Sequence, residues 1–149
     1  MLVVQKYGGS SVANAERIRH VADRVIRRIQ AGDQVVVVAS AMGDTTDDLI
    51  KLAAQISDDP DPREMDMLLS TGEQMSVALL AMALRAKGQE AVSLTAQQAG
   101  IYTKGPYFSG RISRVENSRL KAELEAGRVP IVAGFQGDRK STRLNSSHG

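Results

Sequence analysis

Gln34-Val35-Val36-Val37-Val38-Ala39-Ser40-Ala41-Met42-Gly43-Asp44-Thr45-Thr46-Asp47-Asp48 decides the fold. Val35 to Val38 are β-branched and unbroken by a polar residue. A strand with one wet face alternates apolar and polar side chains, so this run reads as a strand covered on both faces, which is the habit of parallel sheets. From Ser40 the chain turns polar, as a loop leaving the carboxyl end of such a strand should. Leu49, Ile50, Leu52, Ala53 and Ile56 then suit a helix, which Asp58-Asp59-Pro60-Asp61-Pro62 breaks.

The same alternation extends in both directions. Upstream, Leu2 to Gln5 is a short apolar strand that passes Lys6 and runs into Gly8-Gly9-Ser10-Ser11. Asn14 is a candidate N-cap, and Ile18, Val21, Ala22, Val25, Ile26 and Ile29 recur at helical spacing as far as Gly32. Downstream, Met65 to Leu69 is followed by an interruption at Ser70-Thr71-Gly72-Glu73. A helix from Gln74 to Lys87 follows, apolar nearly all round, as suits burial between layers or against a partner subunit. Gly88 ends it. Ala91 to Thr95 is a third strand, Gln97 to Arg114 a hairpin or excursion, Leu120 to Ala126 a helix, and Val129 to Gly134 a fourth strand. The expected fold is α/β, a mainly parallel sheet with helices on both faces.

Composition narrows the function classes. Hydrophobic residues make up 42% of the 149, enough for one globular core. Aromatics are 3% and Trp is absent, so platforms for stacking nucleic-acid bases are lacking. No purely apolar run, neither Val35 to Ala39 nor Val77 to Leu84, approaches the roughly 20 residues of a membrane span. No basic segment precedes an apolar stretch at the start, so a cytoplasmic protein without a leader is expected. Absence of Cys excludes disulfides and thiol catalysis.

The net charge of +2 comes from the last residues, Asp138 to Gly149, where Arg139, Lys140 and Arg143 outweigh Asp138. Without them the body is neutral and gives no sign of an acidic partner. Asp138 to His148 has no apolar period and resembles, residue for residue, one reading frame of a common sequencing-library adapter. The expected domain therefore spans residues 1–137, with residues 138–149 a non-native tail.

Ligands of open α/β sheets gather at the carboxyl ends of strands. Lys6-Tyr7-Gly8-Gly9-Ser10-Ser11 lies at such an end: small residues let backbone N–H groups approach phosphate oxygens, and lysine supplies a compact charge. It matches neither G-x-x-x-x-G-K-[ST] nor G-x-G-x-x-G, and by itself it is equally a tight turn beside an exposed lysine. Ser40 to Asp48 offers hydroxyls and carboxylates to an ammonium or a carboxylate, or simply caps a helix through Thr46 with Asp47 and Asp48 in the first turn. Glu73 faces a ligand or opens a helix. His20 reads as a surface or packing residue without a partner at metal-ligand spacing, so His or Cys metal ligation is not expected. Met65, Met67, Met75 and Met82 read as core or interface filler.

The joint order of these segments carries more. Val4 to Val12 resembles the opening motif of aspartate kinases, Val37 to Leu49 their second motif, Arg63 to Gln74 their third and Ile131 to Gly137 their fourth. The chain is thus similar to the aspartate kinases of the amino-acid-kinase family over residues 1–137. The resemblance implies a three-layer sandwich, here truncated, and transfer of the ATP γ-phosphoryl group to the β-carboxylate of L-aspartate, the entry to lysine, threonine and methionine synthesis. It implies that Lys6 is catalytic and that Lys6, Tyr7, Gly8, Gly9, Ser10 and Ser40 bind the nucleotide, which carries Mg2+. Asp44, Thr45, Thr46, Asp47 and Glu73 would bind aspartate, with Glu73 pairing with its amino group. A homo- or hetero-oligomer is expected for the full-length protein.

The family's Gly-Arg-Gly-Gly-Ser-Asp segment, its acidic nucleotide-binding segment and its regulatory ACT pair are missing, so the chain as it stands is expected to be inactive, with an open sheet edge at Val129 to Gly134 or a neighbouring strand. The competing readings are another amino-acid kinase, of the acetylglutamate or glutamate type, and a non-catalytic module that pairs with a partner through Gln74 to Lys87.

Overall fold

The computed structural model describes residues 1–104 and 111–134. Among these residues six strands and four α-helices follow in the order β1 (Leu2–Tyr7), α1 (Ala15–Gln30), β2 (Gln34–Ala39), α2 (Thr45–Ile56), α3 (Pro62–Ala86), β3 (Ala91–Leu94), β4 (Ile101–Lys104), β5 (Arg111–Val115), α4 (Ser118–Glu125) and β6 (Val129–Ala133), with a 3-10 turn at Gly9–Val12. The main sheet has the order β1-β2-β6-β3, and every pairing in it is parallel. β4 and β5 form a separate antiparallel hairpin within the stretch expected to hold one.

Two apolar layers flank the sheet. On one face α1 and α3 bury Ile18, Val21, Val25, Val77, Leu80 and Leu84 against Val35, Val37 and Ile131. On the other, Val36, Val38, Val132 and Leu94 meet Leu120 and Leu124 of α4. Successive residues of β2 thus enter opposite layers, which is why the run lacks polar residues. Coverage of the second face stops short of β1, where Leu2 is 54% and Val4 38% exposed.

The sequence placed the open edge at Val129–Gly134 or a neighbour. Among the described strands β6 is interior, and the edges are β1 and, in keeping with the second alternative, β6's neighbour β3. Pro130 is tolerated in so central a strand because the β2 ladder begins only at Ile131, past the missing N–H.

Local chemistry sets the helix ends. Asn14 caps α1 by accepting from the Arg17 N–H at 2.9 Å, with Glu16 in the first turn and Arg27 and Arg28 in the last. Gly88, at φ +89°, closes α3 as the Gly88 and Gln89 amides donate to the carbonyls of Arg85 and Leu84.

The largest departure from expectation is α3, one helix of 25 residues with no interruption at Ser70–Glu73. Asp61 and Pro62, read as breakers, start it instead: the Asp61 carboxylate accepts from the Glu64 N–H at 3.1 Å and Pro62 takes the first turn. Ser70 and Thr71 do not break it, because their hydroxyls donate to the carbonyls of Met67 and Leu68, each at 2.7 Å. By length and composition α3 could cross a membrane, but Leu69, Val77, Leu80 and Leu84 are buried in the domain core. Of the methionines read as filler, only Met65 is buried; Met67, Met75 and Met82 are 55%, 52% and 62% exposed on α3.

Candidate active site

The carboxyl ends of β1, β2 and β6 meet at one point. There the Ser40 amide donates to the Tyr7 carbonyl at 3.1 Å, and the Gly134 amide to the Ala39 carbonyl at 2.8 Å. The Gly43 amide donates to the Gly9 carbonyl at 3.0 Å, so the loop after β1 and the loop after β2 are tied to each other. Such closeness needs glycine. A Cβ on Gly9 would lie 3.1 Å from the Ala41 carbonyl oxygen, and one on Gly134 3.0 Å from that of Ala39. Gly8, in contrast, has nothing within 4 Å of where its Cβ would be. It is exposed, which leaves its backbone open to a ligand.

Lys6 and Tyr7 leave β1 on opposite sides. Lys6 shares its face with Leu2 and Val4, is partly buried, and makes no ion pair among the described residues. Tyr7 turns into the core under α1: its hydroxyl donates to Gln5 Oε1 at 2.9 Å and its ring lies 5.6 Å below the Arg24 guanidinium. Burial pushes its hydroxyl pKa up, partly offset by Arg24 and Arg27. What Tyr7 offers near the loops is backbone, and its carbonyl is already taken by Ser40. Ser10 is exposed, and its carbonyl accepts from Arg17 Nη1 at 3.2 Å.

The second loop delivers its polar residues to the start of α2. Asp44 is the N-cap, without a side-chain capping bond, so the role expected of Thr46 falls two residues earlier. Thr45 opens the helix and its amide donates to the Met42 carbonyl at 2.8 Å. Thr45 and Thr46 are partly buried, whereas Asp44 and Asp47 are exposed. The amino end of α2 therefore presents hydroxyls and its positive dipole end beside the glycine loop.

Glu73 reaches the neighbourhood from α3. It cannot be a helix opener, since it sits in the interior of that helix, 5% exposed. Gly72, just before it, carries the contact: a Cβ there would lie 3.1 Å from both Ala41 Cβ and Thr45 Cγ2. That contact had no signal in the sequence beyond a glycine inside an otherwise helical pattern. Four separate segments of the chain, around Lys6, Ser40, Glu73 and Gly134, are thus gathered at one end of the sheet. Phe135, Gln136 and Gly137 of the fourth motif, and the tail, lie outside the described residues. His20 is exposed on α1. No group of three or more His, Cys, Asp or Glu arranged to hold a metal occurs among the described residues.

The model of the amino acid kinase family matches residues 1–147. An aspartokinase of Geobacillus stearothermophilus is 58% identical over 136 residues, 91% of this chain and 33% of that protein. One of Mycobacterium tuberculosis strain H37Rv is 56% identical over 142 residues, 95% of this chain and 34% of that protein. The chain thus spans about a third of the length of the curated relatives it matches. Among solved structures, aspartate kinase from Synechocystis superposes with a TM-score of 0.77 at 52% identity, over 91% of this chain and 22% of that one. E. coli aspartokinase III in complex with aspartate and ADP gives 0.75 at 21% identity, over 89% and 40%, a likeness of fold.

Proposed function

The chain belongs to the amino acid kinase family, and from that premise we propose that it is the amino-terminal portion of an aspartate kinase, which transfers the γ-phosphoryl group of ATP to the β-carboxylate of L-aspartate. In this reading residues 1–137 are the native part of the family's domain, residues 138–149 are not native although the family model's match runs on to residue 147, and the enzyme is cytoplasmic and feeds amino-acid biosynthesis. The observation that carries the reading is Lys6. It is a partly buried ammonium with no ion pair among the described residues, at the end of β1, beside two loops bonded through Gly9 and Gly43.

A phosphoryl group in flight spreads negative charge over its oxygens and asks the protein for position and countercharge rather than covalent chemistry. The Lys6 ammonium supplies the countercharge. Gly8 and Gly9 supply N–H groups with no side chain in the way, and Ser40 a hydroxyl close to the phosphates. Magnesium, brought by the nucleotide, would offset part of the phosphate charge. Thr46, at the amino end of α2, donates to a substrate carboxylate, and Glu73 pairs with its ammonium. The attacking β-carboxylate oxygen bonds phosphorus as the bond to the ADP oxygen breaks, so no proton need move.

The test is ADP release by a full-length kinase carrying this segment, with ATP, magnesium and one candidate acceptor at a time. Turnover dependent on L-aspartate is expected. Preference for glutamate or N-acetylglutamate would transfer the chain to another branch of the family. Thr46→Ala and Glu73→Gln should each raise the aspartate KM about tenfold or more, the worth of a charge-assisted hydrogen bond.

A further inference from the structure

We propose that Gly72 is a positioning residue, which sets the spacing between Glu73 and Thr46 by letting α3 touch the loop after β2; the proposal rests on the aspartate kinase reading. Gly72 lies within the 25 residues of α3, where glycine is less favourable than any residue but proline. The helix alone would be more stable with alanine.

The reason for glycine lies across the contact. A Cβ at position 72 would meet Ala41 Cβ at 3.1 Å, Thr45 Cγ2 at 3.1 Å and Leu49 Cδ1 at 3.7 Å. The first two separations are too short for carbon atoms without a shift of a few tenths of an ångström. Ala41 has little room to retreat. It is 4% exposed, its carbonyl closes on Gly9, and the loop is pinned by the bond from Gly43 to Gly9. The displacement therefore falls on Thr45, the first residue of α2, and carries Thr46 away from Glu73. Those are the two groups assigned to opposite ends of aspartate, so a small error in their separation weakens the grip on that substrate. None of the three atoms nearest a Cβ at position 72 belongs to the ATP loop around Gly8 and Lys6.

Gly72→Ala separates the helix from the site. Melting of the 149-residue chain should stay within a few degrees of the original, because alanine's better helix propensity offsets most of the overpacking at this contact. In a full-length kinase carrying the segment, the aspartate KM should rise about tenfold or more while the ATP KM stays within about twofold. Ala41→Gly added to Gly72→Ala removes one of the two opposing carbons, lets α3 settle toward position 41 and off Thr45, and should return the aspartate KM part of the way to the original. A folded Gly72→Ala enzyme with an unaltered aspartate KM would overturn the proposal alone. So would a Gly72→Ala chain that melts much lower or fails to fold, since the role would then be structural. A wild-type enzyme with no aspartate-dependent turnover would remove the reading beneath it, and the proposal with it.

Discussion

The Gly43 amide donates to the Gly9 carbonyl across 3.0 Å, and this bond fastens the loop after the first strand to the loop after the second. It makes adjacent glycines inequivalent. Gly8 stands at φ −85° with nothing within 4 Å of its missing Cβ, while a Cβ on Gly9 would press on the Ala41 carbonyl at 3.1 Å. Gly8→Ala should leave the melting temperature within a degree or two, yet lower turnover at least about tenfold because a methyl group would stand where phosphate oxygens approach. Gly9→Ala should cost about 1–3 kcal/mol of stability, as overpacking does. Thermal melts and initial rates on the pair check both, and equal melting temperatures would mean the loops are not tied as described.

Lys6 makes no ion pair among the described residues and is only partly buried, so replacing it removes charge without orphaning a partner. Lys6→Met in a full-length kinase should lower kcat by about 100-fold or more, with the aspartate KM changed less than about threefold and the melting temperature held. A normal kcat would refute its catalytic role.

Periodicity sufficed for most elements because they obey one dominant force. The run Val35–Val38 is doubly buried, and Ile18, Val21 and Val25 fall on the buried face of α1. α3 was misread as two pieces because Ser70, Thr71 and Gly72 all look like breakers, and what overrides them is tertiary: hydroxyls bonded within the helix and a glycine pressed against Ala41. The sheet order could not be read either, since an interior β6 is a matter of long-range pairing. At the site, Lys6 and the glycines were legible as a strand-end loop. Tyr7, expected with Lys6 beside the nucleotide, has its side chain in the core instead, because strand alternation puts neighbours on opposite faces.

Acid should weaken the fold in part through Glu123. This buried carboxylate accepts from Arg128 Nε and Arg119 Nε, and those bonds, Arg128 foremost, hold its pKa below the usual glutamate range against the opposing effect of burial. A depressed carboxylate stabilises the fold above its unfolded pKa, about 4.3, and that stability is lost as pH falls through the lower folded value. Glu123→Gln should therefore be less stable than the original by about 1–2 kcal/mol at pH 6, with the gap closing below about pH 4. Urea unfolding at both pH values measures the gap. A gap independent of pH would show that the charge of Glu123 is immaterial.

Removal of Asp138 to Gly149 should not destabilise the remainder, because the stretch has no apolar period with which to pack. Melting curves of the chains with and without it should coincide. A fall of more than about 4 °C, near 1 kcal/mol at this size, would mean that the tail is part of the domain.

The 149-residue chain itself should not phosphorylate aspartate. It spans about a third of the length of its curated relatives, and what it brings together is a lysine, a glycine loop, the amino end of a helix and one buried glutamate. These can lower a barrier only when the γ-phosphorus and the β-carboxylate are held in line, which also requires that adenosine be gripped from elsewhere. Loss of that alignment forfeits several kcal/mol of effective-concentration advantage, so the rate should drop by many orders of magnitude even with every named residue in place. The exposed Leu2 and Val4 on the edge strand β1, 54% and 38% accessible, should also make the isolated chain prone to self-association. A coupled ADP-release assay at saturating aspartate and ATP measures the first expectation, and light scattering the second. Aspartate-dependent turnover within about tenfold of a full-length homologue would show that this third of the enzyme positions both substrates without help, and that the alignment argument assigns too much to the remainder.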